Sequence, residues 1–338
     1  MQNKPIISVE PLGFMWPVTN PFLFCAHHLD NYPKGNEEMG PEASLKGREI
    51  GHDFTLKDGW RMYHGNTIPG FPVHPHRGFE TITIVRTGLV DHSDSHGQAG
   101  RYGGGDVQWM TAGAGLQHSE MFPLLNQEAE NPAELFQVWL NLPKAKKFAE
   151  PYFKMLWAEN IPVHKITDEK GNSTEINVIA GGINGITALL PAPDSWAADP
   201  ENEVAVWTIK MDANSKWIMP ATNKSINRTI YFYIGSSMKI NDLLISADQS
   251  VKLESDCELA IENGDAEGCL LLLQGKPIDE PVVQYGPFVM NTQEESQQAI
   301  SDFRTTEFGG WPWPRRDQVH PRSRGRFARY KDGAEEIR

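Results

Sequence analysis

The sequence predicts an all-β protein of two antiparallel barrels or sandwiches. The prediction rests on closely spaced alternating segments, glycine punctuation between them, and a second strand-rich block with the outline of the first. In the first block, from about Ile68 to Leu142, Glu80-Thr-Ile-Thr-Ile-Val-Arg86 and Asp106-Val-Gln-Trp-Met-Thr111 alternate, and Leu135-Phe-Gln-Val-Trp-Leu140 follows. Such period-two runs form strands with one face turned inward. Gly88, Gly97, Gly100, Gly103, Gly104, Gly105, Gly113 and Gly115 supply the turns. Short strands with glycine turns and no long helical period give an antiparallel sandwich or barrel. The second block begins near Ile176 and contains Glu203-Val-Ala-Val-Trp-Thr-Ile-Lys210, Arg228-Thr-Ile-Tyr-Phe-Tyr-Ile234, Glu258-Leu-Ala-Ile261 and Cys269 to Gln274. Outside the blocks, Asn31 to Arg61 reads as an irregular polar segment, Lys144 to Ala158 as mixed with a helical look, and Thr292 to Arg304 as helical.

Composition narrows the class. A chain of 338 residues with 39% hydrophobic content can bury two cores. The longest apolar runs, such as Cys269-Leu-Leu-Leu-Leu273, are too short to span a bilayer, and the first thirty residues lack a basic segment leading into an apolar one. A soluble cytoplasmic protein is expected, with no membrane partner. Cys25, Cys257 and Cys269 are odd in number, scattered and free of C-x-x-C spacing, so they read as small core residues rather than a disulfide framework or thiolate site. A formal charge of -13 argues against direct nucleic-acid binding. The last 24 residues nevertheless carry +4 (eight Lys and Arg against four Asp and Glu), leaving -17 on the rest. Docking of this basic tail on its own acidic body is expected ahead of docking on a protein partner.

The chemistry concentrates in two dyads, His74-Pro75-His76 and His118-Ser119-Glu120, with 41 residues between them. Residues i and i+2 of a strand share a face, so each dyad can aim both side chains into one interior. Two such strands facing each other across a barrel would offer three imidazoles and a carboxylate to one divalent first-row metal, with positions left open for substrate or dioxygen. Glu80 has the same parity as His74 and His76 and is a rival ligand. His92 and His96 read as part of a solvated polar turn, and His27, His28, His52 and His64 have no readable partner spacing. The second block cannot duplicate the site, because no histidine occurs between His164 and His320. Gly103 to Gly105 lack a following helix and lysine, so a tight turn is expected there rather than a phosphate cradle. Phe79, Trp109, Phe136 and Trp139 could line a pocket for a flat substrate, but alternating aromatics in strands more often fill a core.

The strings His74-Pro-His-Arg-Gly-Phe-Glu-Thr81, Gln108-Trp-Met-Thr-Ala-Gly113, His118-Ser-Glu120, Phe136-Gln-Val-Trp-Leu-Asn-Leu-Pro143 and Gly286-Pro-Phe-Val-Met-Asn291 resemble the pirin family of the cupin superfamily. The resemblance covers roughly Gly70 to Gly310. It implies a bicupin, two double-stranded β-helix barrels with few short helices. Residues 1–165 would form a metal-binding cupin domain, 166–314 a cupin domain lacking metal ligands, and 315–338 a basic tail. It also implies one Fe(II) ion on His74, His76, His118 and Glu120, although imidazole and carboxylate would accept Mn, Co, Ni, Cu or Zn. The segment from Asn31 to Arg61 looks longer than the family's counterpart. The general cupin signature places its glutamate at Glu80, whereas the family favours Glu120. The implied activity is a quercetin 2,3-dioxygenase type of reaction, in which O2 cleaves a small aromatic or enol substrate such as a flavonol. Glu120 would serve as base on moving off the metal. The alternative implied is a metal-containing regulatory protein that acts through a protein partner without turnover.

Overall fold

The computed structural model describes residues 5–338 and resolves into two compact units, each built of antiparallel sheets. The first comprises residues 27–137, 142–158 and 280–338. Its six-stranded sheet runs in the order Glu335–Ile337, Phe327–Arg329, Ala99–Gly103, Leu89–Asp94, Leu116–Met121 and Gly70–His76. A five-stranded sheet has the order Tyr152–Leu156, Val107–Thr111, Phe79–Thr87, Asn131–Asn141 and Phe22–Tyr32. The glycine triplet is a turn as expected, with Gly104 and Gly105 at φ of 61° and 102° between two strands.

The second unit comprises residues up to 26, 138–141 and 159–279. It has a seven-stranded sheet, in the order Ile6–Pro11, Gln249–Leu253, Asn227–Ile234, Gly268–Gly275, Ala205–Met211, Ser173–Ala180 and Val163–Thr167, and a four-stranded one. Alternate residues of these strands, among them Trp207, Ile209, Ile230, Phe232, Leu270 and Leu272, make one apolar core. Pleat parity dictates that grouping.

Three expectations change. The units are not consecutive halves of the chain: Ile6–Pro11 pairs with Gln249–Leu253, and Phe327–Arg329 pairs with Ala99–Gly103. Edge pairing over long sequence separations leaves no trace in local patterning. The Lys144 to Ala158 segment contains only short 3-10 turns, and its Tyr152–Leu156 portion is an edge strand paired with Val107–Thr111. The helix at Gln293–Thr306 forms where expected, because Thr292 and Glu295 complete a capping box. The tail docks within its own unit, but less by surface charge than expected. Arg101, buried with Asp91, donates to the carbonyls of His320, Pro321 and Arg324, while the His320 N–H donates to Asp91. Arg326 pairs with Asp106 at 2.7 Å.

The irregular 31–61 segment is ordered around Arg48. Its guanidinium lies 3.3 Å from the centroid of the Trp60 ring and donates to Asp53 and to the carbonyls of Lys57 and Trp60. Among the described residues, no helix is long and apolar enough to cross a membrane.

Candidate metal centre

His74 and His76 lie on the Gly70–His76 strand, and His118 and Glu120 on Leu116–Met121. These strands are hydrogen-bonded neighbours in one sheet, not walls facing each other across a barrel. His74 stands opposite His118, and a register shift separates that pair from the Phe71 and Glu120 pair. The result is the expected meeting of imidazoles by a shorter route. The ring centroids of His74 and His118 are 4.4 Å apart, those of His74 and His76 4.7 Å, and those of His76 and His118 4.9 Å. One ring nitrogen from each lies within 4.8 Å of the others.

The C-terminal segment braces both strands. The Val73 N–H donates to the Arg316 carbonyl at 2.8 Å, and Gln117 Nε2 donates to the Glu307 carbonyl at 2.6 Å. Gly115, at φ 125°, admits the Phe308 ring so closely that a Cβ there would lie 2.8 Å from it. A side chain at this position would push Phe308 away from the start of the Leu116–Met121 strand.

The donor set fits a metal. Burial holds His74 down to about 4, and burial with repulsion from the neighbouring imidazoles holds His76 and His118 well below the usual range. Around neutral pH all three rings are therefore uncharged and carry lone pairs. His74 Nδ1–H donates to the Pro72 carbonyl at 2.9 Å, which leaves the Nε2 lone pair to bind a metal. His118 is fully buried, and neither of its ring nitrogens has a hydrogen-bond partner. A buried imidazole without hydrogen bonds is costly unless something coordinates it.

Glu120 stands beside the histidines, with Oε2 3.8 Å from His118 Nε2. Thr83 Oγ1 lies 3.0 Å from its Oε1, and Gln137 Nε2 donates to Oε2 at 3.2 Å. Burial raises its pKa, and the field of His92 and bonds from Thr83 and Gln137 offset part of the rise. The rival Glu80 does not join the cluster. Gly78, at φ 86°, breaks the chain between the Gly70–His76 and Phe79–Thr87 strands, so parity does not carry across, and Glu80 instead accepts from Thr111 Oγ1 at 2.7 Å.

Sequence patterning misplaced His92. It is fully buried in the Leu89–Asp94 strand, directly opposite Glu120, with its ring 5.4 Å from that of His118 and stacked on Phe153. Thr83 and Gln137 were missed too. Alternation with Ile82 and Ile84 assigns Thr83 to the outward face, but the Phe79–Thr87 strand is buried on both faces up to Val85. His28 packs edge-on to Tyr63, Phe71 and Phe122. His52 and His64 flank Phe54. Phe79, Trp109 and Phe136 are fully buried core residues.

Paired antiparallel sheets carrying a largely buried three-histidine cluster on adjacent strands define a two-domain cupin with a candidate metal site. The sequence comparisons then give the family. The pirin pattern matches residues 19–140 and the pirin C-terminal cupin domain matches 206–309, so the chain belongs to the pirin family. A Pseudomonas aeruginosa protein provisionally named a quercetin 2,3-dioxygenase is 36% identical over 243 residues, 71% of this chain and 79% of the relative. Human pirin is 34% identical over 258 residues, 73% of this chain and 80% of its own length. A crystal structure of quercetin 2,3-dioxygenase from Acinetobacter baumannii superposes with a TM-score of 0.70 at 27% identity, covering 90% of this chain and 98% of that one.

Proposed function

We propose that this protein is a metal-dependent dioxygenase of the quercetinase type, which cleaves a flavonol-like enol with O2. His74, His76, His118 and Glu120 would hold one divalent ion, Fe(II) in this reading. The observation that carries the proposal is the neutral three-imidazole cluster, with His76 and His118 buried and His74 partly so, and a carboxylate beside it. The names of the Pseudomonas and Acinetobacter relatives supply the substrate class. When bound, the ion would supply a positive centre for an enolate oxygen and for dioxygen.

The chain's own contribution is to receive and hold a proton. Glu120 is the base in this account once it moves off the metal: burial makes its free carboxylate more basic than an exposed one, so it can take the substrate's enol proton. Gln137 Nε2 and Thr83 Oγ1 fix its orientation. Thr83 also lies 2.6 Å from Gln137 Oε1 and has a single hydroxyl proton to share between the two acceptors. Proton uptake at Glu120 frees that hydroxyl for Gln137, so the triad can hold Glu120 both charged and neutral.

Oxygen uptake tests the proposal. Iron-loaded protein given quercetin in air should consume one O2 per flavonol. A fully metallated protein that consumes none with quercetin or other flavonols would overturn it and favour a role through a protein partner.

A further inference from the structure

A third pair with the same spacing borders the histidine cluster. His92 and Asp94 are i and i+2 on the Leu89–Asp94 strand, and Leu116–Met121 lies between that strand and Gly70–His76 in the sheet. The register sets His92 opposite Glu120 and Asp94 opposite His118. Directly opposed residues of an antiparallel pair share a face, so His92 and Asp94 stand on the side that carries His118 and Glu120. Both are fully buried, and the proposed chemistry uses neither.

Asp94 is fixed in place. Its Oδ1 accepts from the backbone N–H groups of His96 and Gln98 at 2.9 and 3.0 Å, and its Oδ2 accepts from Gln98 Nε2 at 3.0 Å. His92 Nε2 lies 3.4 Å from the same Oδ2, and its ring stacks on Phe153. A carboxylate only accepts, so Nε2 carries the proton in this contact and Nδ1 keeps a lone pair. That Nδ1 is buried without a hydrogen-bond partner.

His118 presents the complement. A neutral imidazole has one lone pair and one N–H, so the nitrogen that does not bind an ion is a donor. Ligating histidines direct that N–H to an acceptor, which fixes ring and tautomer, as His74 does with the Pro72 carbonyl. His118 Nε2 faces Glu120 Oε2 at 3.8 Å, on the side of the proposed ion, which leaves Nδ1 to donate. This Nδ1 is also buried and unpaired, and the His118 and His92 ring centroids are 5.4 Å apart. An N–H···N bond of about 3 Å sets two imidazole centroids roughly 5 Å apart, so a small rotation of the rings closes it.

We propose that His92 is a positioning residue for the metal centre: its Nδ1 accepts the Nδ1–H of metal-bound His118, and Asp94 holds the His92 ring for that task. A carboxylate behind the acceptor strengthens the bond and makes His118 the better ligand. The inference rests on the metal site and not on the dioxygenase reading.

Zinc titration of the full-length apo-protein against a competing chelator tests this. Wild type should take up one Zn(II). His92→Phe keeps the stacking on Phe153 and removes the acceptor, so it should bind zinc about 10–100-fold more weakly. His92→Asn places an amide oxygen where Nδ1 stood and should recover most of that loss, although it fills the site less well than phenylalanine. A packing role alone gives the reverse order. NMR of zinc-loaded wild type with isotope-labelled histidine nitrogens reads the bond without any variant, through scalar coupling between the Nδ1 atoms of His118 and His92. Unchanged affinity in His92→Phe, His92→Asn no better than His92→Phe, or absence of the coupling would overturn the proposal. If the variants fail to fold, the coupling alone decides. Wild type that takes up no zinc would remove the metal site itself, and this inference with it.

Discussion

Two buried strands, one in each unit, show how the same pleat serves different ends. Leu116–Met121 and Gly268–Gly275 are buried along their whole length, each inside an antiparallel sheet. The first reads Leu-Gln-His-Ser-Glu-Met and the second Gly-Cys-Leu-Leu-Leu-Leu-Gln-Gly. Interior positions that hold Leu270 and Leu272 in the second unit's core correspond in kind to those that hold His118 in the histidine cluster and Glu120 beside it. The geometry is shared, and the difference lies in whether the inward side chains supply stability or chemistry. Polar interior residues forgo hydrophobic stabilisation, and they persist in a fold where function requires them.

That contrast can be broken most forcefully at His118. His118→Ala should reduce bound metal from one per chain to near none, read by metal analysis of purified protein, and leave the second unit's unfolding midpoint unchanged. Stoichiometric metal in the variant would remove His118 from the ligand set. In the other unit, Phe232→Ala should cost about 3–5 kcal/mol in urea unfolding, as deletion of a fully buried aromatic does. Its metal content should stay at one per chain.

A smaller effect is expected at Thr83. Thr83→Val keeps the shape and removes the hydroxyl beside Glu120, so flavonol-dependent oxygen uptake should fall roughly 10–100-fold with metal retained, in the range seen when outer partners of metal sites are lost. An unchanged rate would mean that the Thr83 contact does not support Glu120.

The smallest effect is a pH slope confined to the first unit. Asp30 is held by Tyr63 and Arg61, yet burial raises its carboxyl from an ordinary 3.8 to about 6. Folding therefore binds a proton that the unfolded chain releases. The stability this contributes is fully present below about pH 4 and is lost as pH rises through 6. The total is on the order of 3 kcal/mol. His28, held down to about 3 by burial, has the opposite slope below pH 6.5, but it is common to both proteins when wild type is compared with Asp30→Asn. The stability difference between the two, from denaturant unfolding at pH 4 and 7, should show the Asp30 slope alone.

Much of the fold was legible because its strands alternate. Ile230 and Phe232, or Trp207 and Ile209, announce both a strand and the face it buries. The histidine dyads were legible for the same reason, since i and i+2 spacing needs no knowledge of partners. What the sequence hid depends on pairing between distant strands. His92 looked like part of a polar turn because Asp91-His-Ser-Asp94 has no apolar alternation, yet the register sets it opposite Glu120 inside the domain. The adjacency of the two histidine strands and the separation of Glu80 from the cluster likewise follow from register and from the break at Gly78. The tail's basic charge suggested docking by surface attraction, whereas buried Arg101 grips the tail's backbone carbonyls. A charge count does not see backbone acceptors.

The central claim is a single metal ion held by the three histidines of the first unit. Anomalous diffraction at the iron edge, from crystals of protein purified from iron-replete cells, tests it most directly. The account predicts one peak per chain, at bonding distance from ring nitrogens of His74, His76 and His118, and no peak in the second unit, whose strands carry only His164 among the described residues. A peak elsewhere, or fully ordered histidines with no peak after metal loading, would contradict it.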